Sequence, residues 1–293
     1  MEALSKELIF EQIHLILLFG LLGFFTHWVA KSRGFFSLPE EQNGPDVKGR
    51  QVIIAFAIYL ITALFIAPLL GRLLFRLEGE SSYSLIFAGL IQLGALALIL
   101  LLLILFSMTQ EKKSMRGVWI TRDGSNPKRL VRDFFLGIAT WFIAFPLVVV
   151  ISQICDLLLY VFFGVESYEQ VAVRFLKMAL GSPLLLLIAL ATVIVIAPII
   201  EEWLFRGFLQ SFLRKHVGRK AAILLTAFSF ALFHLSGSQG LGNISLAISL
   251  FIFSCYLGFL YERQGSLVAP IGLHMAFNTV SSIRILLMPV TDL

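Results

Sequence analysis

The chain has 293 residues, of which 58% are hydrophobic and 14% charged, and its mean hydropathy is +0.91. These values exclude a soluble globular domain, and the continuously apolar runs, which do not alternate, exclude a β-barrel. The net charge of +5 is explained by lysines and arginines that flank membrane spans, not by nucleic-acid binding.

The expected fold is all-α, a polytopic transmembrane helical bundle of about eight spans. The spans are placed over 8–30, 51–75, 83–106, 132–163, 184–209, 220–236, 244–261 and 267–288. The first carries Glu2, Lys6, Glu7 and Glu11 and no small-x-small cleavage site, so it is read as a retained span. The fourth is long and holds Pro146, which predicts a tilt or kink. Glu166 to Leu180 mixes apolar and charged residues, as a helix on the outer interface does. Ser182 and Pro183 then cap and start the fifth span. After the short sixth span comes the Gly/Ser-rich stretch Ser236 to Gly242. Cys155 and Cys255 both fall inside spans, which argues against a disulfide framework.

Loop charge gives the orientation. Sixteen lysines and arginines follow spans one, three, five and seven, against five on the other side. The positive-inside rule therefore puts both termini outside the cytoplasm.

The polar residues inside spans carry the functional signal, because ionisable groups at membrane depth are costly and usually face a protein interior or a wet cavity. Glu201 and Glu202 interrupt the fifth span, His234 lies in the sixth, and His274 and Asn278 lie in the eighth. At 1.5 Å of rise per residue, Glu201 stands about 18 Å above the cytoplasmic end of its span, His234 about 20 Å, and His274 and Asn278 roughly 10 to 17 Å. Three helices thus bring polar groups to nearly one level. Glu202 and Arg206, four apart, share a face and can pair. Glu201 points about 100° away, without a local cation, which makes it the better candidate for a base acting on water. Pro198 frees a backbone carbonyl beside it. Asp156, His14 and His27 receive no role, and His216 is read as solvated in a basic loop.

Three motifs occur in order: Glu201-Glu202-Trp203-Leu204-Phe205-Arg206 as EExxxR, Phe230 to His234 as FxxxH, and His274 to Asn278 as HxxxN. In this order and spacing the chain resembles the CPBP intramembrane proteases, the family of the Rce1 CAAX prenyl endopeptidase and of bacterial Abi proteins. Met115 to Val118 and Gly258 to Pro270 also look like that family. The resemblance covers roughly residue 110 to the end. It divides the chain into an N-terminal transmembrane extension of three spans, 1–106, and a protease core of five spans, 107–293.

What the resemblance implies is hydrolysis of a peptide bond in a membrane-associated protein or peptide, including a prenylated CAAX-type substrate. Glu201 and His234 would activate water, His274 and Asn278 would support the tetrahedral intermediate, and Glu202 and Arg206 would sit behind them. No cofactor is the favoured expectation. The alternative is a zinc ion held by Glu201, His234 and His274. The implied partners are that substrate and the lipid bilayer, with no nucleic acid. Two other readings fit buried Glu and His: a transporter or proton pathway, and a non-catalytic membrane scaffold or immunity protein.

Overall fold

The computed structural model describes residues 2–40, 44–78, 84–120, 126–164 and 171–287. The helices in chain order are α1 (Glu2–Ser32), α2 (Gly49–Ile61), α3 (Ala67–Glu78), α4 (Ser84–Met108), α5 (Lys112–Trp119) and α6 (Pro127–Phe163). They continue with α7 (Val171–Ala179), α8 (Pro183–Leu190), α9 (Ala197–Glu202), α10 (Ser211–Phe233), α11 (Gly242–Gln264) and α12 (Val268–Leu286). Three π-helical segments join some of them: π1 (Thr62–Ile66), π2 (Ala191–Ile196) and π3 (Trp203–Gln210). Among the described residues there is no strand, only an isolated bridge between Ile120 and Ser266. The fold is an all-α polytopic bundle.

Six helical stretches among the described residues are long and apolar enough to cross a membrane, not eight. The difference has two sources. The stretch Pro183–Phe233 counts once over 51 residues, although it joins the fifth and sixth expected spans. It breaks at Gly218, whose φ of 76° and ψ of 169° end one helix and start the next. The eighth expected span, α12, carries His274, Asn278, Thr279, Ser281, Ser282 and Arg284, and it is not among the six.

Local chemistry sets several boundaries. Ser182 accepts from the Leu185 amide at 3.4 Å and Pro183 begins α8, as the sequence predicts. Asn126 accepts from the Lys128 amide at 3.1 Å, with Pro127 opening α6. α6 runs 37 residues through Pro146. Of the expected interfacial segment, α7 is helical, while residues 165–170 lie outside the described residues, as does Arg122.

π1 and π2 share a sequence, Thr-x3-Ile-Ala-Pro, at Thr62–Pro68 and Thr192–Pro198. In both, the alanine amide donates to the threonine carbonyl five residues back. The proline that follows has no amide to continue the ladder. The widened turn is thus written twice.

α6 is the strut of the bundle, packing against α1, α11 and α12. Its crossing with α12 is close because two glycines lie on it. A Cβ on Gly137 would stand 2.0 Å from the Ala269 carbonyl oxygen, and one on Gly272 would stand 2.5 Å from that of Phe134. In lipid, where apolar surface alone gives no preference for helix over tail, such close backbone approach is a main source of cohesion. It seats α12, and with it His274. The start of α12 is pinned from the other side, where the Leu267 amide donates to Trp119 at 3.0 Å and the Tyr261 hydroxyl to Val118 at 3.1 Å.

One buried cluster unites most of the bundle. It includes Ala30 of α1, Ala55 of α2, Leu96, Ile99 and Leu103 of α4, and Trp203, Leu204, Phe205 and Phe208 of π3. The second and third expected spans, α2 and α4, pack on the helix that carries the glutamates, and the first, α1, packs on α6. His27 Nε2 meets the Tyr256 hydroxyl and so bridges α1 to α11.

Candidate active site

Glu201 and Glu202 are the last two residues of α9, where the helix passes into π3. Consecutive helical residues point about 100° apart, and the two carboxylates enter different environments. Glu202 and Arg206 are both fully buried, with the guanidinium Nη1 donating to Glu202 Oε1 at 3.0 Å. Arg206 Nη2 donates to the Ser254 carbonyl at 3.1 Å and to its hydroxyl at 2.5 Å, and the guanidinium carbon lies 4.8 Å from the Phe230 ring centroid. A lone arginine at the centre of a span costs about 2.5–3.5 kcal/mol or more. Here a carboxylate, a carbonyl, a hydroxyl and an aromatic face offset that cost.

Glu202 has a second partner. His274 Nδ1 lies 2.7 Å from Glu202 Oε1. A carboxylate oxygen accepts, so the imidazole nitrogen is the donor. The Nδ1 of His234 is also committed, donating to the Phe230 carbonyl at 2.8 Å. In the neutral state, both rings therefore present Nε2 as an acceptor. The two Nε2 atoms face the same oxygen, Glu201 Oε2, at 3.6 Å from His234 and 3.8 Å from His274. The Glu201 side chain is 15% exposed and that of His234 29%, against 6% for His274. Glu201 and His234 form the open side of the cluster, and the Arg206–Glu202–His274 chain is its sealed back.

His234 is the cap residue that ends α10. The loop after it is clamped by a reciprocal pair: the Ser236 amide donates to Asn243 Oδ1 at 3.1 Å, and Asn243 Nδ2 donates to the Ser236 carbonyl at 2.7 Å.

Asn278, one turn beyond His274, donates Nδ2 to the Val193 carbonyl at 2.8 Å. In π2 the Ala197 amide goes to Thr192, so the next amide in register for Val193 would come from residue 198. Residue 198 is proline and has none. This is the carbonyl that Pro198 frees, and Asn278 takes it.

Glu201, His234 and His274 thus converge, with Glu202 and Arg206 behind His274 and Asn278 tying α12 to π2. A zinc ion would need Glu201, His234 and His274 as ligands. Among the described residues, no group of three or more His, Cys, Asp or Glu is arranged to hold a metal ion.

Residues 183–280 match the family described as Type II CAAX prenyl endopeptidase Rce1-like. This segment is an Rce1-like domain. All three motifs of the Rce1-like match fall inside it, and it covers one third of the chain. Comparison with curated proteins and with solved structures gave no match. The Rce1-like family and the apolar helices together place the chain in the class of intramembrane endopeptidases, integral to the membrane.

Several polar groups that support the Rce1-like segment escape a reading of spans alone. Glu262, near the end of α11, is held by Arg214 and Arg219, each at 3.2 Å, and by Gln210 at 3.1 Å. The sequence assigns those arginines to a basic loop, whereas they lie in a helix and fold onto a carboxylate. The available signal was Glu262 itself, an acid at a span end facing basic residues. Ser254 carried no signal, since a serine in a span usually bonds its own helix.

Proposed function

We propose that this protein hydrolyses a peptide bond in a membrane-associated protein or peptide of the prenylated CAAX type, by water activated between Glu201 and His234. The observation that carries this reading is the spacing around Glu201 Oε2. At 3.6 and 3.8 Å the two imidazole nitrogens stand just beyond direct hydrogen-bond length from one carboxylate oxygen, so a water seated on Glu201 is within reach of either ring. A water donating to the carboxylate and to an Nε2 lone pair turns its own lone pairs outward, toward a scissile carbonyl. Glu201 then takes the proton as water attacks and returns it to the leaving amine. His234, tethered through Nδ1 to Phe230, orients the water. His274, tethered to Glu202, is a donor toward the oxyanion in its protonated form. Asn278 holds the wall beside them.

The proposed route uses no metal. It is also part of this reading that residues 107–293 are the catalytic core, that 1–106 are an extension, and that both termini are non-cytoplasmic. The CAAX substrate class rests on the family description for residues 183–280.

The test is Glu201→Gln, which keeps the shape and removes the base. In proteoliposomes with a farnesylated CAAX reporter peptide, the variant is expected to be inactive at normal expression and unfolding temperature. Wild-type cleavage by Glu201→Gln would remove the glutamate from the reaction.

A further inference from the structure

The cluster around Glu201 is rich in acceptors. Glu201, the neutral His234 Nε2 and the neutral His274 Nε2 all offer lone pairs, and the Nδ1 protons are committed to Phe230 and Glu202. Asn278 gives one amide proton to Val193. A tetrahedral intermediate needs donors where its negative charge develops.

One wall of the site comes from outside the matched third of the chain. α2 runs antiparallel to the helix that carries the glutamates. A Cβ on Gly49 would lie 3.4 Å from the Phe212 ring, and the Phe56 ring meets Phe205 edge-on at 5.2 Å between centroids. Seven residues forward along α2 match seven residues back along its partner. One more turn along α2 from Phe56 reaches Tyr59, and one more turn back from Phe205 reaches Glu201. The Tyr59 ring packs on Phe233 at 5.2 Å between centroids, and Phe233 directly precedes His234. The phenol lies within electrostatic reach of the Glu201 carboxylate. Its hydroxyl makes no hydrogen bond to any described residue.

We propose that Tyr59 is a further catalytic residue, whose hydroxyl donates to the scissile carbonyl oxygen and holds the oxyanion that forms as water adds. The inference rests on the hydrolase reading above. The carbonyl oxygen gains the electron pair as the water oxygen bonds to carbon. Tyr59 shares its proton without losing it, and the pair returns to carbon as the amine leaves. Phe233 packs on the ring and is itself held edge-on by Phe56, so the donor is preorganised.

The experiment is Tyr59→Phe in the full-length chain in proteoliposomes, with the same reporter peptide. The ring and its packing on Phe233 remain, and only the donor goes. The expected result is a fall in kcat of about 10²-fold with KM within about twofold, as for loss of a donor used only in the transition state. A binding readout does not depend on turnover. A reporter peptide with a phosphinate in place of the scissile amide presents tetrahedral oxygens, and its affinity is expected to fall by a similar factor. Affinity for the uncleaved peptide, measured in the Glu201→Gln background, is expected to hold. An unchanged kcat, or equal losses for phosphinate and uncleaved peptide, would overturn the proposal, the second because it marks a packing role. If Glu201→Gln cleaves normally, the hydrolase reading fails first, and the two failures are told apart by that variant alone.

Discussion

Asn278 donates its side-chain amide to the backbone carbonyl of Val193 at 2.8 Å, supplying from α12 the hydrogen bond that Pro198 withholds within its own helix. The contact ties the HxxxN motif, through a backbone atom, to the π-helical turn that precedes the EExxxR motif.

It gives the first prediction. Asn278→Ala leaves a carbonyl without its partner and is expected to cost about 1–3 kcal/mol. Pro198→Ala restores an amide in register with Val193. In the Asn278→Ala background it should therefore recover stability while leaving activity low. Thermal unfolding in detergent across the four-member cycle measures the coupling, and additive effects would contradict it.

The buried pair behind His274 predicts a different pattern. Arg206→Met strands Glu202, and breaking a buried pair from one side costs about 3–5 kcal/mol. The double variant Glu202→Gln/Arg206→Met removes both charges and should be the more stable of the two. Arg206→Lys should not rescue, since one ammonium cannot span both Glu202 and Ser254. Folded yield and unfolding temperature report the order of the variants.

The proposed route through Glu201 predicts that activity survives metal chelation. Purified protein incubated with 1,10-phenanthroline or EDTA, then assayed in chelator, should cleave the reporter at its untreated rate. Loss of activity that added zinc restores would replace the glutamate mechanism with a metal one.

The α6–α12 crossing predicts an effect at a distance. A methyl at Gly137 would meet the Ala269 carbonyl at 2.0 Å, so Gly137→Ala must push α12 outward. Overpacking of this kind costs about 1–3 kcal/mol, and the displacement would carry His274 away from Glu201. A ten-fold or larger fall in kcat alongside a lower unfolding temperature is expected, whereas Gly20→Ala, with open space around it, should change neither.

The sequence made much of the site legible because its key relations are local. The divergence of Glu201 and Glu202 and the Glu202–Arg206 pair follow from helical spacing alone. The shared level of His234 and His274 follows from rise per residue. Other relations are tertiary and escaped it. The Val193 partner of Asn278 depends on a π register, which composition does not announce. Hydropathy placed the division between the fifth and sixth spans, where Gly218 breaks the helix, but could not show that Arg214 and Arg219 turn back onto Glu262. His27, given no role from its position near a span end, meets Tyr256, a partner 229 residues away in the chain.

The buried cluster shared by α1, α2, α4 and π3 has a practical consequence for anyone wishing to make a minimal fragment. Trimming the chain to residues 183–280 would strip Ala55, Phe56 and Ile99 from the flank of Phe205 and its neighbours. Aromatic rings that now meet other protein would then face acyl chains or detergent. Such a fragment should be purified with the upstream helices supplied as a separate polypeptide, and their spontaneous reassociation would be the sign that the first hundred residues are a wall of the enzyme.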